Sequence, residues 1–131
     1  MPNMNGHVLV IDGDPEMQNL FTRILELDNH YVQTAADIDA FVSENTESPD
    51  ICLVAASLRP EDPAALADEV GRRWNGCDVI YLVDESTPDL RKAIDRRRLR
   101  RLVRPFQIED LRYLVNRTLR RRKRQMRPRR S

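Results

Sequence analysis

The chain has 131 residues and no apolar run near the roughly 18 residues that a membrane span requires, so no spanning segment is expected. Its opening, MPNMNGH, has no basic region followed by a long apolar stretch, and no secretory leader is expected from it. Cysteine is scarce. Cys52 and Cys77 each sit in or beside an apolar, strand-like run, with no neighbouring Cys/His cluster, which points to buried reduced thiols rather than a disulfide or a metal centre. Together these absences predict a cytoplasmic protein. Aromatics are only 5% of the chain, and the basic C-terminal segment carries one nearby candidate for stacking, Tyr113. There is no internal repeat and no interdomain linker, and this length fits one domain large enough to bury a core.

Charge is plentiful but divided. The formal net charge is +1, yet residues 1–90 hold 4 Arg against 18 Asp and Glu, a net of −14. Residues 91–131 hold 18 Lys and Arg against 3 acidic residues, a net of +15. Such a split has two readings: an anionic partner for a basic surface, or basic helices lying beside acidic ones within the fold.

Five short apolar runs alternate with five helical patterns, which predicts a single α/β domain with a doubly wound, five-stranded parallel sheet and five helices. The runs are His7–Ile11, Tyr31–Ala35, Ile51–Ala55, Asp78–Val83 and Arg101–Val103. The first, third and fourth are nearly continuous, as in strands covered on both faces. Apolar residues spaced by three and four mark the helices. Met17, Leu20, Phe21, Ile24 and Leu25 form the first stripe, with Asp14 and Pro15 as cap and first residue. Ile38, Phe41 and Val42 mark the second; Leu66, Val70 and Trp74 the third; Leu90, Ala93 and Ile94 the fourth. Ile108, Leu111, Leu114, Val115, Thr118 and Leu119 make one face of the fifth. There the apolar positions stop, and Arg120, Arg121, Arg122, Lys123 and Arg124 are expected to project into solvent. A domain over residues 1–124 and a disordered basic tail over 125–131 follow.

Three motifs carry a family resemblance over Val8 to Arg124. VLVIDGDP (Val8 to Pro15) resembles the acidic opening of bacterial response-regulator receiver domains, PDICLVAA (Pro49 to Ala56) their phosphoacceptor strand, and LVRPF (Leu102 to Phe106) their Lys-Pro-Phe turn. The resemblance implies a flavodoxin-like receiver fold with a phosphorylation pocket at the carboxyl ends of the strands. It also shows what that pocket lacks. Where the family has an acceptor aspartate, this chain has Ala55. Of the two adjacent metal-holding acids, Asp12 is present and Gly13 is not an acid; Asp14 either substitutes as a ligand or caps the helix. The Ser or Thr at the end of the fourth strand is Val83, the responsive aromatic on the fifth is Arg101, and the lysine is Arg104. Phosphoryl transfer needs an oxygen nucleophile, a divalent cation and charge-neutralising groups. Asp12 and Asp14 alone make a weak magnesium site, so no cofactor is expected. Ser57 has a hydroxyl but no base to activate it. The expectation is a degenerate receiver, not an enzyme, in which Arg104 pairs with Asp12 in place of the metal.

A receiver without its switch still has surfaces. The resemblance implies that the face of the fourth helix, fifth strand and fifth helix contacts a signalling partner or a second copy. The alternative is nucleic acid or another polyanion held by Arg112, Arg120, Arg121, Arg122, Lys123 and Arg124. A third reading leaves the arginines as the solvated end of a helix, or as the joint to a further domain.

Overall fold

The computed structural model of the protein describes residues 6–39, 48–58, 62, 64–74, 76–84, 88–96 and 99–126. Its elements in chain order are β1 (His7–Ile11), α1 (Pro15–Glu26), β2 (Tyr31–Ala35), β3 (Ile51–Ala55), a 3-10 turn (Ala56–Leu58), α2 (Ala64–Arg73), β4 (Asp78–Asp84), α3 (Pro88–Arg96), β5 (Arg100–Arg104) and α4 (Ile108–Met126). The strands form one parallel sheet in the order β2-β1-β3-β4-β5. β4 and β5 run slightly beyond their apolar runs, reaching Asp84 and Arg104.

Strand side chains alternate between the two faces, so each apolar run feeds two cores. Val8, Val10, Ile51, Leu53, Ile80, Leu82 and Leu102 point to one side, where Phe21, Ile24 and Leu25 of α1 and Leu111, Val115 and Leu119 of α4 cover them. Leu9, Ile11, Cys52, Val54, Tyr81 and Val83 point to the other, beneath Leu66, Val70, Trp74 and Ile94. Because β1, β3 and β4 are buried on both faces, polar residues are confined to their ends. That is where the chemistry collects.

Local signals set the helix boundaries. Asp14 adopts an extended backbone (φ −97°, ψ 113°), and its carboxylate accepts the Glu16 N–H at 3.0 Å; Pro15 follows as first helical residue. After α1 the chain turns through Asn29 at φ 61°, a left-handed conformation that asparagine tolerates. Gly76, at φ 86°, makes the turn into β4.

Four α-helices are described, not the five expected. Of the second pattern only Ile38 and Asp39 fall among the described residues, less than one helical turn; Phe41 and Val42 lie outside them. Ile38 itself is buried in the α2–α3 layer. Ile108, expected in the core stripe of the last helix, is instead 46% exposed. Cys52 and Cys77 are free, their sulfurs 3.5 Å apart. The bond to Cys77, burial and the neighbouring thiol together push the Cys52 thiol well above its ordinary pKa, which keeps it protonated and inert.

Candidate functional site

Strand β1 lies between β2 and β3, so the chain leaves it in opposite directions and opens a crevice at the carboxyl edge, where such sheets place their sites. Asp12 follows β1 directly and is 6% exposed. Every polar group it has is engaged. Its Oδ1 accepts the Asp14 N–H at 2.9 Å, its Oδ2 accepts Nη2 of Arg104 at 3.1 Å, its carbonyl accepts the Gln18 amide at 2.6 Å, and its N–H donates to the Ala35 carbonyl. Arg104 comes from the end of β5, 92 residues away in sequence. The guanidinium thus stands against the carboxylate across the ends of β3 and β4, followed by a cis Arg104–Pro105 peptide.

The other pocket residues contribute no ligand. Gly13 is exposed, and a Cβ added there would meet nothing within 4 Å, so crowding does not forbid a side chain at that position. Asp14 caps α1, pointing its carboxylate at a backbone amide. Ala55 ends β3 with a methyl group, 5% exposed. Val83 is buried in the α2–α3 layer. Ser57 is exposed in the 3-10 turn. Arg101 does not join the pocket at all: its Nε donates to Asp95 of α3 at 2.6 Å, because alternation along β5 aims it at the helix beside it.

Receiver-like folds imply a magnesium ion at this edge, and these donors do not fit one. A hard cation wants several oxygens. Here Asp12 offers a carboxylate already bonded on both oxygens, Gly13 and Ala55 offer none, and Arg104 brings a fixed positive charge to the spot. Among the described residues no three His, Cys, Asp or Glu side chains gather as a metal site.

Sequence reasoning passed over Asp84. It ends β4, opposite Arg104 in register, and lines a cavity of about 550 Å3 with Met17, Leu20, Ile24, Arg104 and Phe106. The only signal was its position, directly after Val83. The same cavity explains why Ile108 and Leu20 leave the core stripe: both line it.

Several arginines of the basic half are matched within the fold. Arg112 grips Asp28 with two bonds, at 3.0 and 2.6 Å, and Asn116 adds a third at 3.0 Å. The Arg112 bond, with help from Asn116 and against partial burial, lowers the Asp28 pKa from 3.8 to about 2. Arg122, expected in solvent, is only 13% exposed and reaches Asp50 at 3.4 Å and Asp78 at 3.7 Å. Those carboxylates stand at the amino-terminal edge of the sheet, and the helix running to Met126 carries Arg122 back over it. Arg100 shares Asp78 at 3.1 Å. Arg120 and Arg121 are exposed. The side chains of Lys123 and Arg124 lie outside the described residues. Gln125 and Met126 continue α4, and the rest of the expected tail, 127–131, is also outside them.

Among solved structures, NtrX from Brucella abortus matches 93% of this chain at 24% identity with a TM-score of 0.79, and this chain spans 28% of its length. A response regulator receiver domain protein from Clostridium thermocellum matches 92% of this chain and 99% of its own at 20% identity, TM-score 0.72. An adenylate cyclase from Rhodopirellula baltica matches 92% of this chain and 91% of its own at 16% identity, TM-score 0.74. No family model and no curated protein matches the chain. The architecture is therefore the flavodoxin-like receiver fold. That fold hosts different functions, so function has to be argued from the site.

Proposed function

We propose that this chain is a receiver-fold protein of cytoplasmic signal transduction that works without phosphorylation, as a protein-interaction module and not as an enzyme. The observation that carries the reading is the Asp12 carboxylate, with one oxygen on Arg104 and the other on the Asp14 amide. A phosphorylatable edge needs a nucleophilic oxygen and a free carboxylate to recruit a cation. Ala55 supplies no nucleophile, and Arg104 already neutralises the Asp12 carboxylate. The state at this edge is constant, so partners meet one surface at all times. The face of α3, β5 and α4 is the candidate, toward a signalling protein or a second copy. Pairing of Arg101 with Asp95 and of Arg100 with Asp78 reduces the like-charge repulsion that would oppose such contacts.

The test is incubation of the protein with acetyl phosphate and magnesium, followed by intact-mass measurement. The expected result is an unchanged mass and an unchanged elution volume. A labile adduct of one phosphoryl group overturns the reading.

A further inference from the structure

Ion pairs divide the arginines of β5 and α4 whose side chains are described into two groups. Arg100, Arg101, Arg104, Arg112 and Arg122 each face a carboxylate, on Asp78, Asp95, Asp12, Asp28 and Asp50 respectively. Arg117, Arg120 and Arg121 face none among the described residues. These three share one strip of α4 with Tyr113, at helical intervals of three, four and seven that place side chains side by side. The strip runs roughly 12 Å along the axis. It is bordered by two adjoining depressions that share Arg117 and Arg121. One, of about 450 Å3, is lined by Tyr113, Arg117, Arg120 and Arg121; the other, of about 190 Å3, adds Arg100, Leu114 and Thr118. Tyr113 is 61% exposed.

We propose that this strip binds single-stranded nucleic acid, with Arg117, Arg120 and Arg121 on successive phosphates and Tyr113 stacked on a base. Guanidinium groups grip phosphate oxygens with paired bonds. No carboxylate among the described residues pairs with them, so neutralising a polyanion releases counterions at little internal cost. The exposed ring separates the ligand classes. An acidic peptide needs only the charges, whereas bases stack on a flat aromatic, and every base offers a face. Duplex DNA is disfavoured by packing. A helix reads the major groove by entering it, and α4 is held on the sheet by Leu111, Val115 and Leu119. Only its outer face is available, which suits a flexible strand laid along it. The inference goes beyond phosphorylation-independent partner binding and uses residues remote from Asp12; its failure leaves the acetyl phosphate result unaffected.

The test is fluorescence anisotropy of the full chain with a labelled oligouridine, a matched DNA duplex and a polyglutamate peptide, over a salt series. Oligouridine is expected to bind most tightly, with affinity falling as salt rises. Removing both guanidinium groups in Arg117→Ala/Arg121→Ala should weaken binding at least about tenfold and flatten the salt slope by about 0.7 per arginine. Tyr113→Ala should weaken it about fivefold or more with the slope unchanged, and Tyr113→Phe should restore it. Lys92→Ala/Arg96→Ala, which removes the same charge from the exposed side of α3, is the control and should leave affinity within about twofold. Thermal melts of each variant establish that it is folded. The proposal is overturned by absence of saturable oligouridine binding, by equal loss in the control, by an inert Tyr113→Ala, or by tighter binding of polyglutamate or duplex.

Discussion

Replacing Arg104 by methionine tests the charge balance at the carboxyl edge. Methionine keeps most of the aliphatic length and removes the guanidinium. Asp12, with its side chain 9% exposed, would then hold a carboxylate supported by the Asp14 amide alone. Breaking a fully buried ion pair costs about 3–5 kcal/mol. Two features of this pair reduce that. The Arg104 side chain is 30% exposed, so water can enter the space it leaves. Its Nε is buried without a hydrogen-bond partner, a penalty of about 1–3 kcal/mol that the substitution relieves. The expected net loss is about 1–3 kcal/mol. With a urea slope of about 1.5 kcal/mol/M, the midpoint should fall by about 1–2 M. The sole tryptophan, Trp74, is 7% exposed and reports unfolding by fluorescence. Asp12→Asn should cost less than Arg104→Met, because it removes the buried charge itself. The double variant should show coupling of about 1–2 kcal/mol in the cycle. A loss below about 0.5 kcal/mol in Arg104→Met, or additivity in the cycle, refutes the assignment of Arg104 as the standing counter-charge of Asp12.

Two further outcomes follow from the same chemistry. Asp28 is held at about 2, below its ordinary 3.8, by the bonds from Arg112 and Asn116, so the folded chain binds that proton more weakly than the unfolded one. Its contribution is fully present above pH 3.8 and is lost as pH falls through about 2. With the Asp28 side chain 15% exposed and Arg112 39% exposed, screening leaves about 1–2 kcal/mol of the full shift. Arg112→Ala should lower stability at neutral pH and flatten the acid limb of stability against pH; an unchanged limb counts against the linkage. Tyr81→Phe should cost about 1 kcal/mol in a urea melt, since the Tyr81 hydroxyl accepts the Ala67 N–H at 2.9 Å in the first turn of α2. A neutral result would mean that water replaces the bond.

The strands were legible because β1 from Val8 onward and β3 throughout are apolar, a pattern that two covered faces produce and a half-exposed strand does not. The cap at Asp14 and Pro15 was legible for a local reason: both act within one turn of where they stand. That Gly13 and Ala55 offer no ligand was equally readable, and the resemblance is what put them at one edge. The pairing of Asp12 with Arg104 came within reach only through the family resemblance, which put both residues at one end of the sheet. By itself, then, the sequence determined the order of the strands and the two-faced core. The destinations of Arg100, Arg101, Arg112 and Arg122 were decided by the tertiary structure alone. Arg101 leans on Asp95, Arg122 returns over Asp50 and Asp78, and Arg117, Arg120 and Arg121 keep their charge for the outside. Arginines are chemically identical along the chain, and a guanidinium on a long flexible stem pairs with whichever carboxylate the packed sheet brings within about 4 Å.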